Sequence, residues 1–483
     1  MKVLQVSAEI FPLLKTGGLA DVAGALPAAL MAAGCAVRVL LPGFAPILAD
    51  LRDDTTLAEL TAPWGDVVRV RQGVLTSLGV HAYVLDAPQL YQRAGTPYED
   101  AQRQPHHDNH LRFALLGWVA AQLACGLDRH WQPAVLHSHD WHAGLTSAYL
   151  AFGPAKGRRV ATVFTVHNLA YQGVFAPIHF YDLGLPAQAF AVNGLEFHGQ
   201  LSFMKAGLYY SDHLTTVSPS YAQEIQTPEQ GCGLDGLLRV RAHDLSGILN
   251  AVDEAVWNPV HDAAITAKFE AKKPAGKARC KAALQQALGL AVQADAPLFG
   301  VVSRLTEQKG LHLVLAALDA LVARGGQLVV LGTGDAALEA AFTARAAARP
   351  EAVSVRIGYD EAYAHRIFSA TDVTLVPSRF EPCGLTQMYG FKYGSLPLVH
   401  RVGGLADTVV DCALENLADG SANGFVFTEF TQQALERAMR RALALYARPT
   451  EWRSVRQRAM QQPLGWDQAA AQYAALYRQL VAS

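Results

Sequence analysis

The chain has 483 residues, too many for a single ordinary hydrophobic core, and therefore predicts two domains of about 200 residues each. Its 40 basic and 42 acidic side chains nearly balance, so neither nucleic acid nor a charged membrane surface is expected as the main partner. Six scattered cysteines without CxxC spacing argue against disulfide bonds and a zinc site. No signal-peptide or membrane-spanning pattern is present, so we expect a cytoplasmic protein.

Short apolar runs alternate with helical patterns along almost the whole chain, which is typical of parallel sheets with crossover helices. The runs are rich in Val and Leu, as strands buried on both faces should be. Predicted strands of the first half are Val3–Val6, Val37–Leu41, Ala134–His137 and Ala161–Val166. Predicted strands of the second half are Leu298–Val302, Leu328–Leu331, Val353–Ile357, Val373–Val376 and Leu396–Val399.

The pentapeptide Gly-Gly-Leu-Ala-Asp occurs twice, at Gly17–Asp21 and at Gly403–Asp407. Both copies follow a predicted strand and precede a predicted helix. Paired glycines let the backbone approach a ligand closely, and N–H groups in the first turn of a helix can meet an anion. The repeat indicates two similar α/β halves facing one cleft. Chance repetition in a chain rich in Ala and Gly is the alternative.

Cations stand beside glycines after the first predicted strand of each half. Lys15 precedes the first pentapeptide, where it can meet a phosphate or a carboxylate. Arg304 and Lys309 lie in the loop after Leu298–Val302, and together a planar fork and a point charge suit a diphosphate. Neither loop has the order of a Walker motif or of GxGxxG. Solvated surface cations are the alternative in both places.

Acceptor groups follow other predicted strands. Glu381 comes after Val373–Val376, where its carboxylate can bind sugar hydroxyls or merely stabilise a helix N-terminus. Two segments rich in His and Asn, 137–144 and 165–170, end strands of the first half. They lack the His spacing of a helical zinc site, so we expect no metal. The combined pattern predicts a diphosphate joined to a group rich in hydroxyls.

The C-terminal part of the chain predicts a hinge and a final helix. We place the hinge near residues 245–260. The last helix, from about Trp466 to Val481, carries one apolar stripe and should pack onto the protein. The stripe consists of Trp466, Ala470, Tyr473, Tyr477 and Leu480.

These motifs, in this order, resemble those of bacterial glycogen synthases and plant starch synthases, which are ADP-glucose-dependent glucosyltransferases of the GT-B fold. The matching segments span nearly the whole chain: Lys15–Val22, Asp108–Gly117, His139–Leu145, Thr165–Gly173, Ile248–Asp253, Ser303–Gly310, Glu381–Gln387 and Lys392–Thr408. One departure is Ala251, where the family usually has Gly.

The resemblance implies an α/β fold of two Rossmann-like, doubly wound parallel-sheet domains facing a cleft. Residues 1–247 would form the acceptor side and part of the donor site, and residues 248–465 would hold the nucleotide sugar. Residues 466–483 would return to the first domain as a helix.

The resemblance also implies five residues at the reacting groups: Lys15, His167, Arg304, Lys309 and Glu381. The three cations would neutralise the diphosphate of ADP-glucose. His167, with Asn250, would position the donor glucose. Glu381 would hold its hydroxyls.

Further residues are implied to bind the substrate: Gly17, Gly18, Asp21, Asp140, Asn168, Asn250, Tyr359, Cys383, Gly384 and Leu385. The two N-terminal glycines would offer backbone donors, Asp140 would lie near the sugar, and Tyr359 would stack on adenine. Asp21 would serve the geometry of the site or the acceptor side.

The implied reaction is transfer of glucose from ADP-glucose to the 4-hydroxyl of an α-1,4-glucan, with retention, release of ADP, and no metal or cofactor. A UDP-glucose-dependent GT-B enzyme is one alternative. A catalytically silent protein that binds glucan or nucleotide is another alternative. The presence of all five residues implied at the reacting groups argues against it.

Overall fold

The computed structural model of the chain describes residues 1–153 and 160–482. The chain forms two compact units. The first unit comprises Met1–Asn250 together with Trp466–Ser483, and the second comprises Ala251–Gly465.

The described residues of the first unit form one nine-stranded sheet and one small three-stranded sheet. The strands are β1 (Lys2–Val6), β2 (Ala36–Pro42), β3 (Leu51–Thr61), β4 (Val67–Leu75), β5 (Val80–Asp86), β6 (Val135–His139), β7 (Ala161–Val166), β8 (Val174–Phe175), β9 (Glu196–Phe197), β10 (Gln200–Ser202), β11 (His213–Thr216) and β12 (Leu245–Gly247). In the large sheet the order is β12-β11-β7-β6-β1-β2-β5-β4-β3.

Seven strands of the large sheet, from β12 to β5, pair in parallel within the described part of the unit. The order runs outward in both directions from β1, as in a doubly wound sheet, so it reverses between β1 and β6. Strands β3 and β4 extend one edge as an antiparallel pair. Most of β3 is exposed, as antiparallel strands can be when a face of the sheet meets water.

Eight α-helices accompany these strands in the described residues before the linker: α1 (Gly18–Ala32), α2 (Ala45–Asp50), α3 (Pro88–Tyr91), α4 (Asn109–Ala124), α5 (Leu145–Phe152), α6 (Phe203–Tyr210), α7 (Pro219–Glu224) and α8 (Asp235–Val240). Short 3₁₀ helices cover Trp141–Ala143, Pro177–Asp182, Ala187–Ala189 and Ala242–Asp244. Helix α4 is buried along most of its length, which explains its nearly continuous apolar sequence.

The second unit, which is described throughout, contains a six-stranded parallel sheet in the order β15-β14-β13-β16-β17-β18. Its strands are β13 (Leu298–Val302), β14 (Gln327–Gly332), β15 (Val353–Ile357), β16 (Val373–Val376), β17 (Leu396–His400) and β18 (Phe425–Phe427). This order is that of a dinucleotide-binding fold, and it reverses between β13 and β16.

Nine helices belong to the second unit: α9 (Ala275–Leu288), α10 (Leu311–Val322), α11 (Ala336–Ala348), α12 (Glu361–Ala370), α13 (Thr386–Lys392), α14 (Gly403–Thr408), α15 (Leu414–Ala418), α16 (Gln432–Tyr446) and α17 (Pro449–Met460). The final helix, α18 (Asp467–Ala482), returns to the first unit and packs against α1 and β7. Its predicted stripe is the buried face, except that Leu480 is half-buried.

All nine predicted strands are present, with ends that differ by at most two residues. One difference matters for the site. The predicted strand Ala134–His137 is observed as β6, which continues to His139. His137 and His139 therefore project from the same face of the sheet.

Candidate active site

The polar residues singled out in the first unit follow strands of its parallel sheet. Lys15 lies between β1 and α1, and its Nζ is 2.9 Å from Oδ1 of Asp21 in the first turn of α1. Gly17 is the N-cap residue of that helix. The structure thus brings Lys15, Gly17 and Asp21 together. Ten residues separate β1 from Gly17, so this copy of the pentapeptide follows a loop and not a tight turn.

Glu9, which is not among the residues predicted from the sequence, holds the loop that carries Lys15. Its carboxylate is buried and accepts hydrogen bonds from Thr16 N at 2.6 Å, from Thr16 Oγ1 at 2.5 Å and from the hydroxyl of Tyr98. A carboxylate bound to these donors fixes the backbone immediately before Gly17. An acidic residue between a buried strand and a glycine pair was the available signal.

Asp140 organises the ends of β6 and β7. Its Oδ1 accepts hydrogen bonds from the backbone N–H groups of His167 at 2.7 Å and Asn168 at 3.4 Å. Asp140 has φ +55° and ψ −179°, a backbone conformation that is costly for any residue except Gly and that occurs mostly at functional sites. Burial raises the pKa of Asp140 to about 7, although the two N–H groups lower it.

His167 lies directly after β7 and is buried beside a second histidine. Its Nε2 is 3.0 Å from Nδ1 of His139. Burial, together with the neighbouring imidazoles of His139 and His142, holds the pKa of His167 well below its usual value. The ring is therefore neutral at physiological pH and can donate or accept a hydrogen bond.

Two asparagines predicted to bind substrate have different surroundings. The side chain of Asn250 is buried, and within the described residues its Oδ1 has no hydrogen-bond partner, so this oxygen can accept a further hydrogen bond. In contrast, Oδ1 of Asn168 accepts a hydrogen bond from Ala170 N at 3.1 Å and so also shapes its own loop. Ala251, the departure from the family pattern, is buried.

In the second unit, Lys309 and Glu381 form a close ion pair. Lys309 Nζ lies 2.6 Å from Oε2 of Glu381, and the same oxygen accepts a hydrogen bond from Ser378 Oγ at 2.8 Å. Lys309 comes from the loop after β13 and Glu381 from the loop after β16, at the point where the strand order reverses. A small pocket here is lined by Ser303, Lys309, Ser378 and Glu381, among others.

The loop after β13 owes its shape to Gly310. This residue has φ +70°, and a Cβ atom added to it would lie 2.0 Å from the carbonyl oxygen of Pro377. Only glycine lets the two loops approach so closely. Arg304, in the same loop, is exposed, and its guanidinium lies 3.4 Å from Oε1 of Gln308.

The second pentapeptide differs from its predicted role. Gly403 and Gly404 begin α14, but Gly404 N donates to the carbonyl oxygens of Glu381 and Pro382, both at 3.2 Å. Cβ atoms at Gly403 and Gly404 would lie about 2 Å from the carbonyls of Glu381 and Cys383, at 2.0 and 2.1 Å. These glycines therefore support the loop of Glu381, and the N–H of Gly404 does not serve an anion.

The remaining predicted residues lie around this loop or beyond β15. Cys383 is buried, Gly384 has φ +75°, and Leu385 is the N-cap residue of α13. Tyr359 follows β15 and is 64% exposed, so its ring offers a surface on which a flat ligand can stack.

Comparisons with known proteins identify the family of the chain. Residues 2–240 match the family profile of the starch synthase catalytic domain, and residues 289–458 match that of glycosyl transferases group 1. The chain is 65% identical to a glycogen synthase of Variovorax paradoxus, over 100% of this chain and 99% of that protein. The chain belongs to the glycogen synthase family. A glycogen synthase of Leptothrix cholodnii is 59% identical over the full length of both chains.

A solved structure extends the comparison to the fold. The catalytic domain of starch synthase IV from Arabidopsis thaliana, bound to ADP and acarbose, is 31% identical, with a TM-score of 0.89. The match covers 100% of this chain and 99% of that one. The chain is thus a glycosyltransferase, and its two sheets are those of the GT-B fold.

One cluster of possible metal ligands lies elsewhere among the described residues of the first unit. His110 Nε2 and His179 Nδ1 lie 3.5 and 3.4 Å from Oδ2 of Asp182. The two imidazole rings lie against each other with centroids 3.9 Å apart and 32° between their planes. Both ring nitrogens approach the same carboxylate oxygen.

Across residues 1–153 and 160–482, no helix combines the length and the apolar character needed to cross a membrane.

Proposed function

We propose that the chain transfers glucose from ADP-glucose to the 4-hydroxyl at the non-reducing end of an α-1,4-glucan, with retention at the anomeric carbon. The observation that carries this proposal is the pair of Lys309 and Glu381 at the carboxyl edge of the second sheet. The ammonium of Lys309, which can bind phosphate oxygens, lies beside the carboxylate of Glu381, which can accept hydrogen bonds from sugar hydroxyls. Full-length similarity to glycogen synthases and the ADP-bound plant domain support the proposal.

The cations act on the diphosphate in this proposal. Arg304 and Lys309 in the second unit and Lys15 in the first bind phosphate oxygens, helped by the backbone of Gly17 and Gly18. A leaving diphosphate is stabilised mainly by positive groups that are held in fixed positions. The protein itself need not form or break a covalent bond. When a donor binds, Lys15 exchanges Asp21 for phosphate, and Lys309 shares its charge between Glu381 and phosphate.

The glucose is held by neutral groups and one carboxylate. His167, Asn250 and Asn168 follow strands of the first sheet and offer hydrogen bonds to hydroxyls, and Asp140 orients the backbone between them. Glu381 and the backbone of 383–385 hold further hydroxyls. Tyr359 stacks on adenine, which would bury its exposed ring.

The chemical step needs no metal or cofactor. The bond between C1 of glucose and the β-phosphate oxygen breaks, and its electron pair goes to that oxygen. The 4-hydroxyl of the glucan attacks C1 from the same face, and its proton passes to the leaving phosphate oxygen. The products are ADP and a glucan longer by one glucose, with the configuration retained. We place the reaction in the cytoplasm, where the six unpaired cysteines stay reduced.

The test is release of ADP from ADP-glucose with and without glycogen, run beside UDP-glucose. We expect release that depends on glycogen and is specific for ADP-glucose. Preference for UDP-glucose would overturn the nucleotide assignment and leave glucosyl transfer intact. Absence of turnover with both donors, in protein shown to be folded by circular dichroism, would favour a silent binding protein.

A further inference from the structure

Three histidine rings lie in contact at the carboxyl ends of β6 and β7. The ring centroids of His137 and His139 are 4.2 Å apart, and those of His139 and His167 are 5.2 Å apart. His137 and His139 are fully buried, whereas His167 keeps a small exposed surface. The three rings therefore form a row that runs from the interior of the first unit to the candidate sugar site.

His137 is held at both ring nitrogens. Nδ1 lies 2.6 Å from the hydroxyl of Tyr477 in α18, and Nε2 lies 2.6 Å from Oγ1 of Thr165 in β7. The hydroxyl of Thr165 is in turn 2.5 Å from that of Thr215 in β11. These two hydrogen bonds fix the orientation of the His137 ring. Because the ring of His139 packs against it, His139 has little freedom to rotate.

The ring of His139 has only one hydrogen-bond partner in the described residues. Its Nδ1 faces Nε2 of His167 at 3.0 Å, while its Nε2 is buried without a partner. Burial lowers the pKa of His139 to about 3 and holds that of His167 well below its usual value. Both rings are thus neutral, each carries one proton, and one of them donates to the other.

Two arrangements of the protons allow a hydrogen bond between His139 and His167. They differ in whether the buried Nε2 of His139 carries a proton. If His167 donates, the proton of His139 must sit on Nε2 and becomes a buried N–H without an acceptor. If His139 donates from Nδ1, its Nε2 is a bare acceptor without a donor. Buried N–H groups without partners are the rarer and more costly defect, which favours donation by His139.

We propose that His139 is a positioning residue whose Nδ1–H donates to Nε2 of His167 and holds His167 in the tautomer protonated at Nδ1. Nδ1 of His167 makes no hydrogen bond to the described residues, so this N–H is available to a ligand oxygen. The part of the inference that concerns catalysis rests on the proposed function, in which that oxygen belongs to the donor sugar.

The tautomer can be measured without any substrate. Protein labelled with ¹⁵N-histidine is observed by long-range ¹H–¹⁵N correlation, and the signals of His167 are assigned from their loss in His167→Gln. We expect a protonated nitrogen at Nδ1 and a bare nitrogen at Nε2. A proton on Nε2 of His167 would overturn the inference, whatever the protein catalyses. His142→Phe is the control, because His142 is also buried but does not bond to His167, and it should leave the pattern unchanged.

Two variants of His139 test its effect on turnover. In His139→Asn, the amide nitrogen replaces Nδ1 as a donor, and kcat should stay close to that of the wild type. In His139→Leu, the donor is lost, and kcat should fall roughly tenfold with little change in KM. Equal losses in both variants, at equal melting temperatures, would mean that the donor at position 139 does not matter. No activity in the wild type would reject the proposed function and leave the tautomer measurement standing.

Discussion

At the scale of single residues, the ion pair of Lys309 and Glu381 combines two roles that the sequence assigns separately. The resemblance gives Lys309 to the diphosphate and Glu381 to sugar hydroxyls, and the structure joins them at 2.6 Å. The pair keeps the carboxylate compensated while no ligand is bound. It also holds the ammonium close to the place where the diphosphate and the sugar of one ligand would meet.

Lys309→Ala should lower kcat for glucosyl transfer by about 10²–10³, or roughly 3–4 kcal/mol, because a fixed positive group at the leaving diphosphate is lost. The pair is largely buried, so its loss also leaves the Glu381 carboxylate uncompensated and should lower the melting temperature, and kcat is therefore compared well below the unfolding transition of the variant. Steady-state kinetics and thermal denaturation measure the two effects. Lys273→Ala, which removes an exposed lysine, is the control. Near-normal turnover in Lys309→Ala would contradict the assignment of this residue.

The raised pKa of Asp140 should make the stability of the folded chain depend on pH. With a pKa of about 7 when folded and 3.8 as its ordinary value, the folded chain binds more protons than the unfolded chain between about pH 4 and 7. The contribution of Asp140 to the free energy of unfolding is fully present below about pH 4 and decreases as the pH rises to about 7. The slope is at most about 1.4 kcal/mol per pH unit.

Asp140→Asn removes this ionisation and keeps an oxygen for the N–H of His167. The free energy of unfolding of the variant, relative to that of the wild type, should therefore increase as the pH is raised from 5 to 7. Urea unfolding at each pH measures the difference, in which the other titrating groups cancel. Parallel profiles for the two proteins would show that Asp140 ionises in its ordinary range.

At the scale of secondary-structure elements, α18 completes the core of the first unit although it lies at the other end of the sequence. Tyr473 and Tyr477 are buried, and the hydroxyl of Tyr477 bonds to His137 on β6. The helix thus covers the sheet directly behind the histidine row. Its apolar stripe is visible in the sequence, but the strand that it meets is not.

Tyr477→Ala should destabilise the first unit by about 3–5 kcal/mol, because it leaves a cavity and removes a partner of His137. The midpoint of urea unfolding measures this loss. Val481→Ala, on the exposed side of the same helix, should change stability by less than about 0.5 kcal/mol. Similar effects of the two substitutions would show that α18 is not docked in solution.

At the scale of the whole molecule, both sheets follow the same plan, with polar residues after the strands that flank the reversal of strand order. The residues proposed for one diphosphate come from both units, Lys15 from the first and Arg304 with Lys309 from the second. If all three bind the same diphosphate, a bound donor restricts the motion of the units about the linker.

We therefore expect ADP-glucose to reduce the radius of gyration measured by small-angle X-ray scattering. Glucose at the same concentration is the control, because it lacks the diphosphate and should leave the scattering curve unchanged. An unchanged radius at saturating ADP-glucose would argue against closure around residues 245–260.

The sequence by itself determined the fold class, the order of the strands along the chain and the positions of the polar loops. These features depend on local patterns, since apolar runs and glycine pairs act over a few residues. The same locality explains why the pattern predicts β6 but not its extension to His139. The strand continues past the apolar run because polar residues there pair with β7.

The tertiary structure alone decided which groups share a hydrogen bond. Glu9 and Tyr98 are 89 residues apart, Lys309 and Glu381 are 72 apart, and His137 and Tyr477 are 340 apart. Parallel strands bring the ends of distant segments to one edge of a sheet, so the partners of a side chain depend on strand order. For that reason a sequence can name Lys309 and His167 as candidates, while the hydrogen bonds of Glu9, His139 and Ser378 become visible only when the sheets are assembled.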